Sequence, residues 1–194
     1  MEDFGFYIKL GLGHVLDFSA YDHILFLCAL AIPFTFKSWK RVVLLATIFT
    51  IAHCASLAFS VYKVVSLDMV LIEFLIPVTI ITAALLNVFY VLKDTASLGF
   101  YFHGLATAFF GLIHGFGFSN YFNMLLAGEE EKLTPLLGFA TGIEIAQVLI
   151  VLFILFLAFV LQRIVAVKQI LFILLGSILI ILVTIPLLIA TFPR

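Results

Sequence analysis

The chain has 194 residues, 65% hydrophobic and 11% charged, with a formal net charge of -1 and a mean hydropathy of +1.31. A soluble domain is roughly 45–50% apolar and about 25% charged, so this composition excludes a soluble globular protein and describes an integral membrane protein. The small net charge says nothing about nucleic acid, and without a basic patch or tail no nucleic-acid partner is expected.

The chain opens Met1-Glu2-Asp3, without a basic n-region or a small-residue cleavage site, and so reads as lacking a cleavable signal peptide. On the rule of about 20 apolar residues per crossing, six spans are expected. Residues 4–18 form an apolar, partly amphipathic piece too short to cross, expected as an interfacial or re-entrant helix leading into the first span, 20–36. The second span is expected at 41–61, led by Trp39, Lys40 and Arg41, and the third at 66–92. The fourth is expected at 98–120, the fifth at 134–161 and the last at 168–191. The loops are short except 121–133, which holds Glu129-Glu130-Glu131. Long apolar runs without two-residue alternation are helices, because lipid offers backbone groups no partner. With no tandem repeat and no linker, residues 1–194 read as one all-α, six-helix transmembrane bundle preceded by the short helix. Cys28 and Cys54 fall inside the spans and read as buried thiols, since two cysteines make no disulfide framework.

Orientation follows from Lys and Arg in short loops. With the N-terminus outside, the cytoplasmic side holds Lys37, Lys40, Arg41, Lys93, Arg163 and Lys168, and the outer side holds Lys9, Lys63, Lys132 and Arg194. The excess is small, but three of the basic residues cluster in the first cytoplasmic loop, which favours that orientation.

The ionisable residues inside the apolar runs carry the functional signal. They are His14, His23, His53, His103 and His114, with Asp17, Asp22, Glu73 and Glu144, and no Lys or Arg accompanies them beyond the segment ends. Ionisable groups at membrane depth are costly and mark function. Asp22 and His23 open the first span, and His53 lies toward the outer end of the second. Glu73 lies about two turns into the third span, His114 near the outer end of the fourth, and Glu144 about ten residues into the fifth. Five spans thus deliver side chains to the outer half of the membrane. His14 and Asp17 would add to the same level. His103 is the exception, about three turns below His114 on the same face.

Imidazole suits zinc, copper, iron and nickel, and carboxylates neutralise their charge. The set exceeds one tetrahedral site, so either two ions bind or some groups orient the ligands. Thr50, Ser56, Thr79, Thr141 and Gln147 are candidates for that orienting role, and glycines 111, 115, 117, 138 and 142 allow close helix approach. The plainer readings differ. A single membrane histidine is usually a hydrogen-bonded packing residue, and Pro77 can simply kink its helix. The 23 phenylalanines read as lipid-facing bulk and the glutamate run as a solvated loop. Five histidines and four acids without a cation outweigh the packing reading.

Five short segments carry a resemblance: Asp22-His23-Ile-Leu-Phe26, Phe49-Thr-Ile-Ala-His53-Cys-Ala-Ser-Leu57, Ile72-Glu73, His114-Gly-Phe-Gly-Phe118 and Gly142-Ile-Glu144-Ile-Ala-Gln147. In this order they resemble the HupE/UreJ family of bacterial membrane proteins. The resemblance implies a permease-like role in nickel or cobalt handling, a bacterial inner (cytoplasmic) membrane location, and a metal site of Asp22, His23, His53, Glu73, His114 and Glu144. His14 completes the expected set, although its spacing to Asp22 is two residues longer than the family form. Cys54, Ser56 and Ala140 also depart from the family pattern. The expected ligand is a divalent transition metal ion, Ni, Co or Zn, in a lipid bilayer, and the pattern is compatible with a homo-oligomer. Transport is favoured over the alternative, an intramembrane zinc-dependent hydrolase of a lipid or membrane peptide, in which bound water attacks and a glutamate serves as base.

Overall fold

The computed structural model describes residues 2–65, 67–93 and 100–193. Among these, the regular structure is entirely helical. The helices are α1 (Glu2–Leu16), α2 (Asp22–Ala31), α3 (Trp39–Val61), α4 (Met69–Lys93), α5 (Phe100–Leu125), α6 (Leu133–Arg163) and α7 (Gln169–Ala190), with a 3-10 turn at Phe36–Ser38 before α3. Four stretches are long and apolar enough to cross a membrane: Phe36–Val61, Met69–Leu92, Leu133–Arg163 and Gln169–Ala190. The family of spans expected from the sequence is therefore supported at four places. α5 has 26 residues, but its run is interrupted by histidines, glycines, Ser119 and Asn120, and it is not among the four. The expected starts of the third and fourth spans, at 66 and 98, lie outside the described residues.

The first expected span differs most. Its helix, α2, covers only 10 residues, about 15 Å, or half of a hydrocarbon core of about 30 Å. Pro33 stops it, because a proline restricts the residue before it and cannot donate to the ladder. The chain turns there, with Phe34 N donating to Ala31 O at 3.0 Å. At the other end, Asp17 Oδ1 accepts from Ser19 N at 2.8 Å and Ser19 Oγ at 2.5 Å. That local bond gives the backbone an alternative to helix and separates α1 from α2.

α1 lies along the first part of α6, with Tyr7 and Val15 buried. Glycine makes this possible on both sides. A Cβ on Gly138 would meet Phe4 O at 2.9 Å, and one on Gly11 would run into the backbone of Phe139 and Gly142. α5 packs on α3 in the same way: a Cβ on Gly111 would come to 2.7 Å from Phe49 O, and one on Gly115 would collide with Ser56 and the His53 carbonyl. Both contacts are built on glycines four apart, Gly138 with Gly142 and Gly111 with Gly115, the spacing that lets membrane helices approach closely.

The bundle's two ends are tied by polar contacts. At one end Asn123 Nδ2 donates to Ser60 Oγ at 2.8 Å, and Lys132 reaches Val61 O at 3.5 Å. Glu131 Oε1 there accepts from the first free backbone donors of α6, Leu133 N at 2.6 Å and Thr134 N at 3.0 Å. At the opposite end Gln162 bonds Gln169, whose amide lies 3.4 Å from both Ile32 O and Pro33 O. The core corrects one expectation. Phe26, Phe49, Phe122 and Phe139 are fully buried rather than lipid-facing. The gaps between spread helices need large rings to fill them, and these rings pack against one another, Phe26 on Phe49 at 4.8 Å and Phe122 on Phe139 at 5.0 Å.

Candidate metal centre

Three histidines from three helices meet in the core. One ring nitrogen each of His14, His23 and His53 lies within 4.8 Å of the others. The break between α1 and α2 brings the first two together: His14 lies in the last turn of α1 and His23 is the second residue of α2, and their rings meet edge to face at 4.5 Å. The Gly11–Gly142 contact sets α1, and with it His14, against α6. The Gly111–Gly115 contact sets α5 against α3, and His114, between those glycines, joins the group 5.3 Å from the His23 ring. His53 is 5.6 Å from His14 and 5.4 Å from His23.

The nitrogens are short of partners. Nε2 of His14, His23 and His114 and both ring nitrogens of His53 are buried without a hydrogen bond. Burying a polar atom unpartnered costs about 1–3 kcal/mol, and here several such atoms share one place. His114 Nδ1 lies 2.8 Å from Phe110 O. A carbonyl can only accept, so Nδ1 carries the proton and Nε2 presents its lone pair. His23 Nδ1 lies 3.4 Å from Asp22 Oδ1, a longer contact of the same orienting kind. Aromatic rings close the site: Phe118 lies 3.9 Å from His14, Phe139 5.5 Å from His14, and Phe49 5.3 Å from His114. Buried imidazole nitrogens without hydrogen-bond partners, gathered within 4.8 Å of one another, suit a soft-to-borderline divalent cation.

The acids occupy other positions. Glu144, on α6, accepts from Thr47 Oγ1 and Thr50 Oγ1 of α3, each at 2.6 Å. The geometry holds it against α3, outside the histidine trio. Glu73 is exposed and shares a cleft of about 240 Å³ with Asp22, Tyr21, Pro77 and Thr191. Asp22 belongs to both places, lining the cleft and touching His23. Asp17 stays in the exposed turn with Ser19. His103 lies apart, its ring 6.0 Å from Phe34.

Of the residues expected to orient ligands, Ser56 bonds the His53 carbonyl at 2.8 Å. Thr79 and Thr141 bond carbonyls of their own helices. Gln147 is fully buried and meets Thr50 Oγ1 at 3.3 Å. Sequence reasoning missed Thr47 as a partner of Glu144 and Phe118 with Phe139 as the wall of the site. Phe118 stood one helical turn after His114, the one signal that could have marked it.

No curated protein and no solved structure shows a match to the chain. The family described as HupE / UreJ protein matches residues 1–190. That match covers both glycine contacts, all four clustered histidines and the two acids of the cleft, Asp22 and Glu73, and by it the chain belongs to the HupE / UreJ protein family.

Proposed function

We propose that the protein binds a divalent transition-metal ion at its histidine cluster and carries it across the membrane as a nickel/cobalt-type secondary transporter. One observation carries this reading: histidine donors from α1, α2 and α3 lie within 4.8 Å of one another, with unpartnered buried nitrogens and His114 alongside. His14, His23, His53 and His114 are the proposed ligands. Asp22 orients His23, and Asp22 with Glu73 forms an acidic mouth that concentrates cations. Glu144 keeps its carboxylate in its threonine cradle on α3. The transported ion is cargo; nickel or cobalt follows from the family's association, and zinc suits the same donors. The bilayer is a bacterial inner membrane with the N-terminus outside, crossed by α3 to α7 and by α1 and α2 acting together. The hydrolase alternative finds no support in the family match.

The test is nickel and cobalt binding to the purified full chain by calorimetry, followed by uptake into proteoliposomes. His53→Ala is expected to lower affinity about 10- to 100-fold with unchanged helix content by circular dichroism. Wild-type affinity in His53→Ala would remove the site from this cluster.

A further inference from the structure

On the far side of one aromatic layer from the histidine cluster lies a small, mostly apolar cavity that four polar side chains help to line. The layer is Phe26 with Phe110, rings 5.8 Å apart and edge to face, and both side chains are buried. One side of it meets the cluster: Phe26 lies 5.4 Å from the His114 ring, and the Phe110 carbonyl holds His114 Nδ1. Phe26 and Phe110 also line a cavity of about 40 Å³ whose polar lining is Asn87, Tyr90, His103 and Thr107. A volume of this size holds roughly three water-sized spheres, enough for a partly hydrated ion. Asn87 Nδ2 donates to Ala29 O at 2.8 Å, which fixes the amide and leaves Oδ1 as its acceptor. His103 makes no hydrogen bond among the described residues. It stands eleven residues from His114 on α5, about 16 Å along the axis, and on the same face. The histidine cluster and this cavity therefore share one apolar wall.

We propose that this cavity is a second, weaker station for the same divalent cation, with His103 and Asn87 Oδ1 as its donors. The Phe26–Phe110 pair is the partition an ion passes between the cluster and the cavity, a hydrophobic constriction of the kind that gates by excluding water. The inference rests on the transport reading above, but binding tests it separately.

Cobalt(II) is titrated into the full chain in detergent. Wild type is expected to show a tight class of site and a weak one. His103→Ala is expected to weaken the second class at least about tenfold and to leave the first within twofold. His53→Ala is expected to do the reverse. A single class in wild type, or a weak class unaltered by His103→Ala, overturns the second station whatever the tight site does. A His103-dependent class without any tight class supports the station and overturns the proposed cluster instead. For the partition, Phe110→Ala is expected to speed cobalt release from the tight site severalfold in stopped flow, since the backbone carbonyl that holds His114 is retained. Phe110→Leu, which keeps bulk, is expected to release at close to the wild-type rate. Equal release from wild type and both variants would take the partition off the path.

Discussion

At the residue scale, the cluster's properties follow from which nitrogen carries a proton. His114 gives its Nδ1 hydrogen to Phe110 O and so offers Nε2 to an ion. His14, His23 and His53 offer buried nitrogens that nothing else engages. A proton and a metal ion compete for the same lone pair, so metal affinity is expected to fall as pH falls. The sign is fixed: acid fills the lone pairs and weakens binding. Cobalt titrations carried from about pH 8 downward check it, and an affinity that rose with acid would overturn imidazole ligation. The histidines were legible in the sequence because each stands alone in an apolar run. The positions of Glu73 and Glu144 were not. Distance along a helix is set by counting residues, but a helix apolar on all sides carries little information about its rotation. Glu144 turned toward Thr47 and Thr50 of α3, and Glu73 toward the cleft with Asp22.

At the element scale, two glycine contacts assemble the site. α5 meets α3 at Gly111 and Gly115, bringing His114 to His53, and α6 meets α1 at Gly138 and Gly142, bringing in His14. Gly142→Ala would press a methyl group into the α1 backbone at Ile8 and Leu12, where neither backbone can yield. It is expected to cost about 1–3 kcal/mol and to weaken metal binding with it. Gly13→Ala is the contrast, since nothing lies within 4 Å of its Cβ position and alanine is the better helix former by about 0.5–1 kcal/mol. Thermal unfolding in detergent should lower the midpoint for Gly142→Ala and hold or raise it for Gly13→Ala. Equal midpoints would mean that the close approach carries no weight. Close helix approach was readable from the glycines, but not which helix each one meets. The break at 17–21 falls where the sequence divides the short piece 4–18 from the span beginning at 20, but the early stop of α2 before Pro33 was not read.

At the scale of the whole molecule, the hydrogen bonds sort the chain's turns onto two ends. Val61 and Lys132 meet at one, and Pro33 and Gln169 at the other. With the proposed orientation, the first end faces outside. Ser19→Cys and Glu130→Cys are then expected to react with a membrane-impermeant thiol reagent in intact spheroplasts, and Lys37→Cys and Arg163→Cys only after lysis. The opposite pattern would invert the orientation. The ends of α3, α6 and α7 were legible to within two residues, because apolar length sets them. Inward-facing phenylalanines were not, because a phenylalanine in contact with lipid and one in the core look alike in a run that is apolar throughout.

The length of α6 has a further consequence. At 31 residues it extends about 46 Å, well beyond a hydrocarbon layer of about 30 Å, so it must lean or project. α1 is locked to it through Gly11 and Gly142 and carries His14 at its end. Bilayer thickness, by setting how far α6 leans, therefore acts as a mechanical adjustment on one wall of the histidine cluster. An ion at the proposed site is expected to be held with different strength in thin and in thick lipid.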